Sequence, residues 1–347
     1  MTVIYTFPSY TAEIINTLNR LDWFVHAFDT DDVYNPAGYV HSQNINGTEF
    51  QFHTDLNVYQ YIISAYKKQN KSQFHRDAIA LVVFAKITNI QFEPNLSIYE
   101  KINYSEQCSD TILDDLHLFK RIDNADLDEL ALFALGFRDD FNIPNLEFKG
   151  REAIKSNLVK YERLKGWDSI YLHVLKICDL EQTEDLSKED KMSIYLDWCY
   201  QEFLHSLAAL CFAIKIWGKR PQKKVFKYQV DKPQEQRKKA LVNMTWDLFL
   251  LHDFFEHWKK KTSRKEAVYV SNDKAFREIL KLAISIQKSG DLMVLKNELS
   301  QSLINRINSV LHPLSKSTSR KVDIIDDFAN YRAILIQDYE LKLLNSP

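Results

Sequence analysis

The chain holds only seven glycines and eight prolines among its 347 residues. Glycine and proline supply the tight turns that an all-β sandwich needs between its many strands, and they are the residues that helices tolerate least. Their scarcity therefore disfavours an all-β fold and favours a largely helical chain. Hydrophobic residues make up 45% of the sequence and aromatic residues 13%, which is typical of a packed globule and not of a disordered chain.

Hydrophobic periodicity predicts many helices and a few short strands. Apolar and polar residues alternate in three strand-like segments: 1–7, 48–53 and 267–271. Helical spacing predicts helices at 11–27, 58–66, 76–87, 97–102, 241–255 and 274–289, a helical region across 112–216, and two more helices at the end of the chain. The segment 29–47, rich in Asp, Asn, Pro and Gly, predicts a loop, and 219–239 predicts an exposed basic connector.

This order of elements is typical of a predominantly helical α/β fold with a small parallel sheet. In such sheets, ligands bind beyond the carboxyl ends of the strands. Asp55 and Asp273 follow two of the predicted strands, so both are expected at that edge.

Four acidic residues, far apart in sequence, lie in settings where a carboxylate is costly unless it is paired, hydrogen-bonded or bound to a metal. They are Asp55, Glu100, Asp247 and Asp273. If the four converged, they would form a site for a divalent metal ion.

Three of these acids also have an ordinary structural interpretation at a helix start. Asp55 precedes a helical segment and is suited to an N-cap, as is Asp273 before Lys274. Glu100 lies three residues after Ser97, the spacing of a capping box.

Asp247 differs because large apolar residues flank it on a helix, with Asn243 one turn earlier. Its ordinary interpretation is a buried carboxylate that is hydrogen-bonded in a helix–helix contact. The apolar setting favours a functional carboxylate instead.

Taken together, these motifs resemble those of the PIN-domain nucleases. In that family the first strand ends in an Asp that is followed by a small or polar residue, and Asp55 and Asn57 match this pattern. The family also has a Glu on a later helix, which Glu100 matches. An Asp on a hydrophobic helix is matched by Asp247, and an Asp after a short apolar strand, with Ser two positions earlier, by Asp273 and Ser271.

The resemblance covers about 100 of the 347 residues and implies an unusual division of the chain. A PIN-like core would comprise 48–104 and 240–290, interrupted by a large all-helical insertion at 105–239. An N-terminal strand and helix extension would span 1–47, and C-terminal helices would span 291–347.

The family resemblance implies hydrolysis of phosphodiester bonds, most often in RNA, with Mg²⁺ or Mn²⁺ held by the four carboxylates. Asp55, Asp247 and Asp273 would be direct or water-mediated ligands, and Glu100 would be a ligand or would orient the attacking water. Asn57, Asn243, Ser271 and Asn272 would position these groups. Lys274 could contact a substrate phosphate, although a solvated surface lysine is the more ordinary interpretation. By analogy alone, a nuclease of this kind could serve as a toxin or defence effector.

Basic residues are concentrated near the Asp247 helix. From Lys215 to Lys265 there are fifteen Lys or Arg and five Asp or Glu, although the whole chain has a formal charge of −2. Such asymmetry is typical of a protein with an anionic partner, although solvated loops would give the same pattern. The resemblance to the PIN-domain nucleases implies RNA in preference to DNA. The candidate phosphate contacts are Lys219, Arg220, Lys223, Lys224, Arg237, Lys238 and Lys239. Specificity would then come from the helical insertion, which could recognise a structured RNA or a protein partner. A protein inhibitor or regulator is a further candidate partner.

Other motifs limit the remaining possibilities. The four cysteines form no CxxC pair, no signal-peptide pattern begins the chain, and the longest apolar run, 206–217, is too short for a membrane span. We therefore expect a cytoplasmic protein without a membrane partner, and self-association stays open.

Two alternatives to a metal-dependent nuclease stay open. Arg306 and His312 resemble the Arg-x4–6-His motif of the HEPN ribonucleases, which cut RNA without metal, but Pro313 would end the helix that presents His312. The other alternative is a non-enzymatic helical interaction or regulatory protein, in which the acids are structural.

Overall fold

The computed structural model describes residues 4–28, 32–104, 109–160, 164, 166–259, 264–311 and 325–345. The chain divides into two compact units. Unit 1 comprises Met1–Glu162 with His257–Lys274, and unit 2 comprises Arg163–Glu256 with Ala275–Pro347. The described residues are predominantly helical with one small sheet, which confirms the predicted helical α/β class.

Unit 1 contains the sheet and eight described helices. The strands are β1 (Phe24–His26), β2 (Glu49–Thr54), β3 (Gln91–Phe92) and β4 (Lys265–Val270). The helices are α1 (Thr11–Leu21), α2 (Pro36–Asn46), α3 (Leu56–Lys67), α4 (Gln73–Thr88), α5 (Asn95–Tyr104), α6 (Ser109–Asp123), α7 (Leu127–Ala134) and α8 (Arg151–Lys160).

The sheet has the strand order β1-β4-β2-β3 and is mixed. Strand β2 pairs in parallel with both β3 and β4, whereas β1 runs antiparallel to β4 at the edge. The expectation of a purely parallel sheet is therefore wrong at one strand. The predicted helix 11–27 ends early because Asp22 adopts a left-handed conformation (φ 49°), and the buried residues that follow it form β1.

Two other predictions at the start of the chain fail. The segment 29–47 contains helix α2, which Asn35 caps by accepting from the Ala37 N–H at 3.0 Å and which Gly47 ends in a left-handed conformation. Residues 4–7 of the predicted strand 1–7 have no regular structure, and residues 1–3 lie outside the described residues.

Helix α4 lies at the centre of the unit 1 core. Its residues from Ala78 to Ala85 are all buried, as expected for a helix that is apolar on every face. The core cluster also includes Phe24 and Phe52 of the sheet and Ile62 of α3. The sheet and the helices beside it therefore share one hydrophobic core.

Unit 2 is helical throughout its described part. Its helices are α9 (Trp167–Glu181), α10 (Lys188–Gln201), α11 (Leu207–Trp217), α12 (Gln234–Lys259), α13 (Lys274–Ser289), α14 (Gln301–Leu311) and α15 (Phe328–Leu344), with 3-10 turns at Lys223–Val225 and Leu292–Asn297. Helix α12 ends, and α13 begins, at residues assigned to unit 1.

The predicted connector 219–239 is only partly an exposed segment. Helix α12 already begins at Gln234, and Tyr228 is buried, with its hydroxyl donating to the Leu343 carbonyl at 2.7 Å. The helices predicted at 274–289 and 241–255 are confirmed as α13 and the middle of α12.

Candidate functional site at the carboxyl edge of the sheet

The carboxyl ends of β2 and β4 lie side by side in unit 1. Thr54 is the register partner of Val270, and the Asp55 N–H donates to the Val270 carbonyl at 3.0 Å. Because the two strands are parallel and adjacent, the residues that follow them emerge at the same edge of the sheet. The expected placement of Asp55 and Asp273 just beyond neighbouring strands is therefore confirmed.

Ser271 connects the two acidic segments. Its hydroxyl donates to Asp55 Oδ2 at 2.5 Å and accepts from the Asp273 N–H at 3.0 Å, while its own N–H donates to the Trp23 carbonyl at 3.1 Å. The residue is only 2% exposed. This buried hydroxyl fixes the Asp55 carboxylate relative to the backbone at Asp273.

Asp55 also has a structural role. It is the N-cap of α3, and its Oδ1 accepts from the Val58 N–H at 2.7 Å. The capping interpretation of Asp55 is therefore confirmed, while its second carboxylate oxygen accepts from Ser271. Asp273 directly precedes α13 and is partly exposed.

Glu100 lies within α5 and is only 7% exposed. The capping-box interpretation is wrong, because α5 begins at Asn95 and places Ser97 inside the helix. The Ser97 hydroxyl donates instead to the Thr54 carbonyl at 2.6 Å, and its oxygen lies 3.3 Å from Thr54 Oγ1. Residues three apart share a helix face. Glu100 therefore lies on the same side of α5 as Ser97, the side that is hydrogen-bonded to the carboxyl end of β2.

The polar residues beside these acids occupy different environments. Asn57 is exposed in the first turn of α3, and Lys274 is exposed at the first position of α13. Asn272 donates from Nδ2 to the Tyr61 hydroxyl at 3.3 Å. Tyr61 in turn stacks on Phe74, and sequence patterns gave neither aromatic residue a role at this edge.

Asp247 lies on α12 in unit 2, apart in the chain from the unit 1 acids. Its side chain is 31% exposed, and its Oδ2 lies 2.5 Å from Lys227 Nζ, which also donates to Asn243 Oδ1 at 3.4 Å. The expectation that the apolar neighbours of Asp247 leave little solvated face on the helix is therefore wrong at this residue. This carboxylate is half-buried and paired with a lysine.

The predicted basic surface retains most of its members in unit 2. Exposed residues of the set are Lys219, Arg220, Lys223, Lys224, Lys238 and Lys239. Arg237 differs because it is buried and donates to the carbonyls of Leu343 and Leu344 at 3.1 and 2.8 Å. These hydrogen bonds hold the end of α15, so Arg237 is no longer a candidate for contact with a substrate phosphate.

The Arg306 of the HEPN-like motif lies on α14 and forms an ion pair with Asp197 of α10. His312 lies outside the described residues.

Unit 2 also contains a buried polar cluster that sequence patterns did not single out. His173 Nδ1 lies 2.9 Å from the Tyr195 hydroxyl and 3.9 Å from Cys199 Sγ, and all three side chains are buried. Burial lowers the pKa of His173 to about 3 and raises the pKa of Cys199 to about 12. A neutral imidazole and a protonated thiol in this setting are core groups and not a nucleophile with its base.

Among the residues that the structure describes, no three His, Cys, Asp or Glu side chains form a group that could hold a metal ion. Within the same residues, no helix combines the length and the apolar character that a bilayer span requires. No protein-family model, curated protein or solved structure matches the chain.

Proposed function

We propose that the chain is a divalent-metal-dependent ribonuclease whose catalytic carboxylates lie at the carboxyl edge of the unit 1 sheet. The observation that carries this proposal is the Ser271 bridge, which links the Asp55 carboxylate to the Asp273 backbone beyond two adjacent parallel strands. In open α/β sheets this edge is where ligands bind. The motifs that resemble the PIN-domain nucleases supply the reaction class.

One or two of the unit 1 carboxylates Asp55, Asp273 and Glu100 would hold the metal ion, together with a substrate phosphate. Carboxylate oxygens are the ligands that Mg²⁺ and Mn²⁺ prefer. Mg²⁺ usually binds through one or two carboxylates together with substrate phosphates, so a preformed cluster of three is not required. Asp247 lies in unit 2 and pairs with Lys227, and it is not needed for this arrangement.

The bound ion would lower the pKa of a bound water and neutralise charge on the phosphate. The chain's own residues would position the participants. Ser271 holds the Asp55 carboxylate, and Lys274 is exposed one residue after Asp273. Helices α3 and α13 also begin at this edge, and helix N-termini favour anions such as phosphate.

The exposed lysines and Arg220 of unit 2 would contribute salt-dependent attraction for an RNA backbone. Contacts of this kind carry little sequence information. We therefore expect affinity for RNA to fall as salt rises, with weak preference among sequences.

A second candidate function is a non-enzymatic interaction or regulatory protein. Two observations favour it: Asp55 caps α3, and Asp247 pairs with Lys227, so both acids have structural roles. Under this function neither Mg²⁺ nor Mn²⁺ would raise the melting temperature.

The deciding experiment is cleavage of labelled single-stranded RNA and DNA with Mg²⁺, Mn²⁺ or EDTA. The wild type is compared with Asp55→Asn and Asp273→Asn, because Asn keeps the capping capacity of Asp and removes the charge. Asp185→Asn, at an exposed position of unit 2, is the matched control. We expect both edge variants to lose more than about 100-fold in rate, since even outer-shell partners of a metal contribute 10–100-fold.

Each outcome points to a different function. Loss of cleavage in EDTA and in both edge variants, with Asp185→Asn unaffected, would support the metal-dependent nuclease. Cleavage that resists EDTA would contradict it and direct attention to Arg306 and His312. No cleavage with any metal, together with unchanged melting on adding Mn²⁺, would favour the interaction protein.

A further inference from the structure

A basic segment joins α3 to α4 in unit 1, at residues 66–76. It contains Lys67, Lys68, Lys71 and Arg76 and no acidic residue. The residues from 66 to 70 are all exposed. Lys67 pairs with Asp115 and Arg76 with Asp139, so Lys68 and Lys71 contribute most of the positive charge of this surface on the unit that carries the candidate carboxylates.

An exposed aromatic stack follows this positive surface. The Phe74 ring is 50% exposed and stacks on Tyr61, with ring centroids 5.2 Å apart and an interplanar angle of 11°. A single exposed phenylalanine needs no special explanation. Here, however, the Tyr61 hydroxyl accepts from Asn272, the residue next to Asp273, so the stack is tied to the carboxyl edge of the sheet.

The segment is held in place by its own hydrogen bonds. Lys71 Nζ donates to the Ala65 carbonyl at 2.6 Å and to the Tyr66 carbonyl at 3.3 Å, which fastens the segment to the last turn of α3. Arg76 donates to the Phe133 carbonyl at 2.6 Å and to Asp139 at 2.8 Å. The basic surface and the stack are therefore presented by an anchored segment.

The charges of the segment act on a neighbouring residue. His75 has its pKa lowered first by burial and then by the charges of Lys68 and Lys71. The charges of Lys68 and Lys71 are therefore close enough to act on the start of α4, beside Phe74. A polyanion with an exposed planar group could place its charges beside the lysines and stack its planar group on the Phe74 ring.

We propose that the Tyr61–Phe74 stack and the 66–76 segment form a binding subsite for an unpaired nucleotide of single-stranded nucleic acid. Its base would stack on Phe74, and its backbone would lie along the exposed lysines. Aromatic stacking combined with a basic track is how proteins bind single strands without reading sequence. The inferred position beside the reacting phosphate rests on the proposed nuclease function, whereas the binding itself does not.

The test is binding measured by fluorescence anisotropy in EDTA, with a labelled single-stranded RNA, the matching single-stranded DNA and the duplexes. The wild type is compared with Phe74→Ala and Phe74→Tyr, and Phe137→Ala serves as control because Phe137 is another exposed phenylalanine of unit 1, 74% exposed. Because the Phe74 side chain is half exposed, we expect its variants to fold, and thermal melting checks this.

Phe74→Ala should weaken single-strand binding about tenfold, within the range that one stacked base contributes. Phe74→Tyr should bind like the wild type, because a phenol ring stacks as well. Phe137→Ala should bind like the wild type too, and duplex binding should change in none of the variants.

Three results would overturn the subsite: equal binding by Phe74→Ala and wild type, an equal loss in Phe137→Ala, or no single-strand binding by the wild type. The last result would leave this surface to a protein partner. Binding lost in Phe74→Ala, in a protein that cleaves nothing, would support the subsite and contradict the nuclease. Cleavage of nucleic acid, together with binding that does not depend on Phe74, would support the nuclease and contradict the subsite.

Discussion

The hydroxyl of Ser271 is the interaction on which the geometry of the carboxyl edge depends, so its removal is the sharpest test of that geometry. Ser271→Ala deletes a hydrogen bond to the Asp55 carboxylate and one from the Asp273 N–H. A hydrogen bond to a charged group contributes about 1.5–3 kcal/mol and a neutral one about 0.5–1.5 kcal/mol. We therefore expect the free energy of unfolding to fall by about 2–4 kcal/mol.

A double-mutant cycle isolates the Ser271–Asp55 contribution from the rest. The four proteins are the wild type, Ser271→Ala, Asp55→Asn and the double variant, each unfolded in urea and followed by circular dichroism. Asn at position 55 keeps the cap of α3 but removes the charge that strengthens the contact with the serine hydroxyl. Contacting residues couple by about 0.5–3 kcal/mol, and a buried charge-assisted contact should give at least about 1 kcal/mol.

The control for the cycle is Ser156→Ala. Ser156 is an exposed serine of unit 1 whose hydroxyl donates to the Ala153 carbonyl at 2.9 Å. Its loss should change stability by no more than about 0.5 kcal/mol. If Ser271→Ala resembled this control, or if its effect added to that of Asp55→Asn without coupling, the bridge would not order the edge and the reasoning would be refuted.

Two further predictions concern unit 2 and a helix of unit 1. Burial lowers the pKa of His173 to about 3 in the folded protein, whereas its ordinary pKa in the unfolded chain is about 6.5. Below pH 6.5 the unfolded chain therefore binds a proton that the folded protein does not. As a result, the free energy of unfolding should fall by about 2 kcal/mol between pH 7 and pH 5. Urea unfolding at these two pH values should show a smaller loss for His173→Gln, and an equal loss would contradict the assignment. Gly218→Ala would place a Cβ 2.4 Å from the Ile214 carbonyl oxygen and 2.8 Å from that of Glu298, and should cost about 1–3 kcal/mol. Gly38→Ala, where a Cβ meets nothing within 4 Å inside α2, should instead stabilise by about 0.5–1 kcal/mol, and thermal melting distinguishes the two.

Local periodicity was sufficient for the elements that place the candidate site. Strand β2, helix α3, strand β4 and helix α13 all lie close to their predicted positions, because each has a clear apolar pattern and a polar residue at its end. Helix α2 was missed although its signals were present. Asn35 before Pro36 is typical of a helix start, and Gly47 is typical of a helix end, but the polar composition between them predicts a loop.

Sequence could not show which side of a helix a residue occupies in three dimensions. Asp247 has apolar neighbours on both sides, yet it is partly exposed and pairs with Lys227, twenty residues earlier in the chain. The Tyr61–Phe74 stack was missed for a related reason. Its connection to the acidic edge runs through Asn272, which lies 211 residues from Tyr61, and no local pattern reports such a contact.

The structural and functional interpretations of Asp55 do not exclude each other. A carboxylate offers about four acceptor positions on its two oxygens, so accepting from the Val58 N–H and the Ser271 hydroxyl does not by itself prevent Asp55 from binding a cation. Charge separates the two roles, because Asn can cap α3 but contributes a poorer ligand to a divalent cation. Asp55→Asn should thus retain most of the stability that Asp55→Ala loses, and only a catalytic role for the charge would make Asp55→Asn as inactive as Asp55→Ala.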